Sequence, residues 1–190
     1  MQAIRSVTDD EVYHQFLKSE FDCLDPESQN KIRPFVLNPD FNDILQNFWR
    51  RKVLYGRRWP LLAQLPDPVE WRFGTQEYTD LEHLYIIKNC GWDVICPSNL
   101  LRTVRYPEGC PLDRKVRIER ILPQVARSDF DRTLILIGVE ADGPYTILDG
   151  NHRAVAMLLA SREGKLRDAN IPLFLGLSPR MRSCFWYSCP

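Results

Sequence analysis

Two apolar runs joined by a tight polar turn constrain this chain most. TLILIGV (133–139) and YTIL (145–148) flank Glu140-Ala-Asp-Gly143, and a third run, IPLFLGL (171–177), follows after one helix-length segment. Short runs rich in Ile and Leu, bounded by turn residues, read as buried strands. The Glu-Ala-Asp-Gly link reads as a hairpin-type turn. Ala154–Arg162 reads as a helix with Val155, Met157, Leu158 and Leu159 toward the core, and Gly164 marks its C-cap region. A chain built this way has to bury a sheet.

The junction between the second run and the helix carries the chemistry. In YTILDGNHRAVAMLL (145–159) a strand ends in Asp149-Gly150-Asn151-His152-Arg153 and becomes a helix at once. A helix N-terminus has free N–H groups and about half a positive charge, so anions bind there. Gly150 allows a tight turn and close approach of the backbone. Asn151 and His152 add donors, and Arg153 adds a planar fork suited to phosphate. Asp149 can cap the helix or hold a metal ion that a nucleotide would bring. The plainer reading is an Asp-Gly turn with Asp149 as N-cap. Against it, a positive residue at a helix N-terminus opposes the dipole, and a bound anion would neutralise that mismatch.

The rest of the chain sets the frame. Residues 8–24 read as a helix opened by a Thr8/Glu11 capping box. Pro26 and Pro34 bracket an expected loop. Asn38-Pro39 starts a second helix whose face is Phe41, Ile44, Leu45 and Phe48, ending near Tyr55-Gly56. A proline-rich connector follows. Thr79 with Glu82 caps an expected third helix through Lys88, and residues 92–96 read as a short strand. KVRIERIL (115–122) reads as a strand leading to Pro123. The fold class is therefore α+β: a mainly helical accessory region over 1–80, then an α+β core over 81–190.

Composition narrows the function classes. The 190 residues are 44% hydrophobic and 26% charged, and 25 Lys+Arg balance 25 Asp+Glu. Nothing global points to a nucleic-acid binder or a membrane surface. NFWRRKVLYGRRWP (47–60) mixes positive charge with aromatics, as single-strand binders do, but also as an amphipathic helix with a solvated basic face does. The start shows no basic end followed by an apolar run, and no stretch approaches the roughly 18 apolar residues of a membrane span. A cytoplasmic protein with reduced thiols and no membrane partner is expected. Six Cys without a CxxC pair and three His argue against zinc.

Three segments carry a resemblance. Val116, Ile118, Leu122 and Pro123 fit a strand of the form V-x-I-x-x-x-L-P; ILDGNHRAVAML fits a strand–turn–helix; Ile171-Pro172 opens a last strand. Together they resemble the ParB/sulfiredoxin-like superfamily over about residues 115–177. The resemblance implies a mixed-sheet core with ligand held at the turn. In sulfiredoxins the turn is G-C-H-R with a catalytic Cys, and Asn151 stands in that place here, so that chemistry is not expected. In partition proteins the matching box binds CTP. DGNHR is nearest to the free-serine kinase branch, whose turn is close to D-G-H-H-R. By that resemblance Gly150, Asn151, His152 and Arg153 would hold the phosphates of ATP or ADP. Asp149 would bind Mg²⁺ or orient the acceptor. Glu119 would be the activating carboxylate, with Asp129 and Asp131 as other candidates, and Trp186 would line the substrate pocket. The implied activity is phosphoryl transfer to a hydroxyl of an amino acid or similar metabolite. The alternative is a non-catalytic nucleotide- or nucleic-acid-binding module of the same fold.

Overall fold

In the computed structural model, which describes residues 2–88, 90–166 and 170–190, the apolar runs form the middle of a six-stranded mixed sheet. Its strands are β1 (Gln2–Ser6), β2 (Glu70–Glu77), β3 (Tyr85–Ile86), β4 (Leu134–Gly138), β5 (Tyr145–Asp149) and β6 (Asn170–Leu177). The order across the sheet is β1-β2-β6-β4-β5-β3. The hairpin pair β4–β5 is antiparallel, and β4 runs parallel to β6. On the flanks, β2 is antiparallel to β6, and β3 is parallel to β5. Every residue of β4 is buried, as a central strand covered on both faces should be. Each aliphatic side chain so buried contributes roughly 1.5–3 kcal/mol. Trp71 on β2 faces Gly176 on β6, and its ring occupies the space a side chain there would need.

Helix α5 (Asn151–Arg162) follows β5 directly, and helix α4 (Leu112–Ile121) packs against it through the fully buried Ile118. Here the structure corrects an expectation. Residues 115–122 are helical, not a strand. Ile118, Ile121, Leu122 and Val125 recur at helical spacing, and Arg, Lys and Glu favour a helix on the exposed face. The first of the three segments behind the superfamily resemblance is therefore not the strand it implies. Residues 92–96 form turns rather than a strand, and β1 and β2 appear where no strand was expected. Residues 78–83 make a 3-10 turn that leads into β3, not a helix reaching Lys88.

The outer edge of β3 is covered by the chain itself. Ile86 N–H donates to Asn99 O at 2.6 Å, and Lys88 N–H donates to Trp186 O at 3.2 Å. Ser188 Oγ donates to Ile86 O at 2.6 Å, and Ser188 N–H donates to Thr146 Oγ1 at 2.9 Å.

The chain divides into two compact units: residues 66–190 with the first few residues, and Ser6–Leu65. The division falls earlier than the boundary near residue 80 expected from composition, because β2 pairs along its whole length with β6. The second unit holds three helices, α1 (Asp9–Glu20), α2 (Pro26–Leu37) and α3 (Ile44–Leu62). The Thr8/Glu11 capping box forms as expected. Residues 26–37 are a helix rather than a loop, since Asp25 caps it and Pro26 occupies its first position, where no N–H is needed. Asp43, not Asn38, caps α3, which runs on through Gly56 to Leu62. Ile44, Leu45 and Phe48 are exposed instead of forming its inner face. The basic residues of α3 are largely engaged within this unit. Arg50 is fully buried and donates to Phe35 O and Asp40 O, Arg51 forks onto Asp10 at 2.7 and 2.8 Å, and Arg57 and Arg58 pair with Glu20.

Candidate functional site

The Asp149–Arg153 turn joins the C-terminal end of β5 to α5. Gly150 takes φ +93°, ψ 17°, the left-handed conformation that lets a strand turn into a helix in one residue. An added Cβ there would lie 2.7 Å from Leu134 Cδ2 and 3.2 Å from the Arg153 guanidinium. No side chain caps α5 at Gly150, so the first-turn N–H groups keep the positive end of the dipole uncovered by a side-chain cap. Asp149 is not an N-cap. Its carboxylate takes a hydrogen bond from Arg153 at 3.0 Å, four residues on, and both side chains are mostly buried.

Asn151 is buried and faces the sheet. Its Oδ1 accepts from Ile87 N–H at 3.2 Å, just beyond β3, so its carbonyl holds β3 to the start of α5. His152 points toward α4. Its ring meets Trp92 edge-on with centroids 4.8 Å apart. Its Nε2 is closed to solvent and has no hydrogen-bond partner among the described residues. Burial first, then the Arg117 and Arg114 guanidiniums, push the imidazole down to about 4, so it is neutral at ordinary pH. Asp113 opposes them and Arg153 adds to them.

Trp92, Arg114 and Arg117 are the residues the sequence does not single out. Arg114 lies over the Trp92 ring at 4.4 Å and donates to Cys90 O. Three guanidiniums, from Arg114, Arg117 and Arg153, thus gather their charge on one imidazole at a helix N-terminus. The signal was present but disguised. Arg114 and Arg117 are three apart, which puts them on one face only if the segment is a helix.

The other expected site residues lie elsewhere. Glu119 is an exposed residue of helix α4, 3.9 Å from Lys115 Nζ, rather than a residue of a strand. Asp129 pairs with Arg127 at 2.7 Å, and Asp131 accepts from Thr133 N–H at 3.0 Å. Trp186 is half-buried, edge-on to Phe185 at 4.8 Å, with its backbone carbonyl tied to Lys88. Among the described residues no three His, Cys, Asp or Glu side chains come together as a metal site. No helix among the described residues is long and apolar enough to cross a membrane. A cleft of about 490 Å³ exists, but it opens at the other end of β5, beside Pro144 and Tyr145, away from the turn.

The arrangement brings together what an anion needs: a helix N-terminus without a side-chain cap, an imidazole nitrogen without a hydrogen bond, and the Arg114 and Arg117 guanidiniums, with Arg153 paired to Asp149. No family model, no curated protein and no solved structure matches the chain.

Proposed function

We propose that the chain binds the phosphates of a small molecule, a nucleotide in the first instance, at the Asp149–Arg153 turn. The observation that carries this reading is His152 Nε2, buried without a partner beside Arg114 and Arg117. Leaving such a group unpaired costs about 1–3 kcal/mol, and a phosphate oxygen would remove that cost. In its Nε2–H tautomer the neutral ring donates while the flanking guanidiniums supply charge. The first-turn N–H groups of α5 complete the cradle. The superfamily resemblance of the ILDGNHRAVAML segment points the same way, while residues 115–122, the first of its three segments, are helical instead of a strand.

A second reading goes one step further, to phosphoryl transfer from ATP or ADP to the hydroxyl of an amino acid or similar metabolite. Asp149 favours it. A phosphate that draws Arg153 away would free a carboxylate in the same turn, to hold Mg²⁺ or orient the hydroxyl.

Calorimetric titration with ATP, ADP, CTP and pyrophosphate, with and without Mg²⁺, tests the first reading. One of them should bind, and Arg117→Ala and His152→Ala should each weaken it by about tenfold or more while keeping the fold by circular dichroism. No binding by any of the four, or unchanged affinity in both variants, refutes the cradle. Binding with no product across a panel of hydroxyl acceptors removes only the second reading.

A further inference from the structure

The cleft at the far end of β5 contains an unsatisfied group of its own. Gln76 on β2 lines it and is only 4% exposed, yet its Nε2 meets no hydrogen-bond partner among the described residues. Folded chains pair nearly all such groups, because an unmet buried amide is costly. The cleft, about 490 Å³, is large enough for a small metabolite, and Asp80, Arg102 and Asp142 also line it. Leu84, Leu100 and Pro144 supply apolar wall, and Tyr85 an aromatic one.

We propose that this cleft is a binding site for a small primary amine that also carries a carbonyl or carboxylate oxygen, the functional groups of an amino acid or its amide. Each group of the ligand has a counterpart. The oxygen accepts from Gln76 Nε2. The ammonium sits between the Asp80 and Asp142 carboxylates, which line the cleft together with Arg102 and His83. Arg102 favours a ligand whose oxygen is anionic. The hydrocarbon part lies against the Tyr85 and Pro144 side of the cleft. The site does not depend on phosphate binding at the turn: β5 separates them, and its five residues span about 3.3 Å each.

Thermal melting of the full chain tests the idea with three probe sets at millimolar concentration: free amino acids, simple alkylamines and simple carboxylates. At least one amino acid should raise the melting temperature more than any probe carrying a single group. Gln76→Met keeps the volume and removes the amide. Without ligand it should melt higher than the parent chain, because an unpaired donor has gone, and it should lose the ligand-induced shift. If Gln76→Met melts lower, the amide is paired within the fold and the proposal fails. It also fails if no amino acid shifts the parent chain. Asp142→Asn, on the exposed rim, provides a variant that leaves the core untouched. It should weaken the amino acid about tenfold or more, the loss of a charge-assisted contact, and unchanged affinity would remove the ammonium site.

Discussion

Replacing Gly150 by alanine isolates the feature on which the turn depends. The residue sits at φ +93°, where an L side chain crowds its own backbone at a cost of roughly 1–2 kcal/mol. The new Cβ would also stand 2.7 Å from Cδ2 of the fully buried Leu134, a separation no packed pair of carbons tolerates. Moving Leu134 within the central strand β4 adds about 1–3 kcal/mol of overpacking. The sum is about 2–5 kcal/mol, and at roughly 2–4 °C per kcal/mol the melting temperature should fall by something on the order of 10 °C. Gly56→Ala supplies the internal control. Gly56 lies within helix α3, and a Cβ there meets nothing within 4 Å, so stability should rise by about 0.5–1 kcal/mol. Scanning calorimetry on the two variants and the parent chain reads both changes. If Gly150→Ala melts with the parent chain, residue 150 is not in the left-handed turn, and the uncovered helix N-terminus built on it does not exist.

Two further outcomes follow from packing and charge around the sheet. His152 titrates near 4 in the folded chain and near 6.5 when unfolded, so the stability this neutral imidazole provides is complete above about pH 6.5 and lost as pH falls toward 4. The gap corresponds to about 3 kcal/mol, and urea unfolding across that range should show the decline shrink in His152→Gln; an unchanged pH profile would contradict the buried neutral ring. Gly176→Ala would place a Cβ 2.6 Å from the buried Trp71 ring, so it should cost about 1–3 kcal/mol and shift the near-ultraviolet tryptophan signal, whereas an undisturbed signal would mean the two strands are not in this register.

The parts of the fold that could be read from the sequence are those whose cause is local. The β4 hairpin, the strand–turn–helix at Asp149–Arg153 and the Thr8/Glu11 cap each depend on residues a few positions apart. Residues 112–121 could not be read with the same safety. Val116 and Ile118 alternate as a strand would, while Ile118, Ile121 and Val125 recur as a helix would, and packing on α5 decides between them. Half of the candidate site was lost with that choice, because Arg114 and Arg117 reach His152 only from a helix, and Trp92 reaches it from an irregular segment without periodicity. Asn151 shows a long-range contact. Its place beside the turn points to a donor, while its carbonyl accepts from Ile87 N–H, sixty-four residues away, a contact no local pattern announces. Arg50 is similar: a basic run suggests a solvated face, and only the folded unit reveals carbonyls waiting inside for one guanidinium.

The covering of β3 bears on how the protein behaves in concentrated solution. An exposed sheet edge is a template on which another chain can add a strand. Here segments 99–101 and 186–188 occupy that edge, the second held by hydrogen bonds at Trp186 and Ser188 and by the buried Tyr187 ring, whose hydroxyl donates to Pro144 O at 3.3 Å. Ser188→Pro deletes the N–H that reaches Thr146 and would loosen that cover without disturbing β4 or β6. Its effect should appear as turbidity and larger particles on standing, together with a lower melting temperature, because the change also removes the hydroxyl that reaches Ile86 O and leaves the buried Thr146 Oγ1 without that donor.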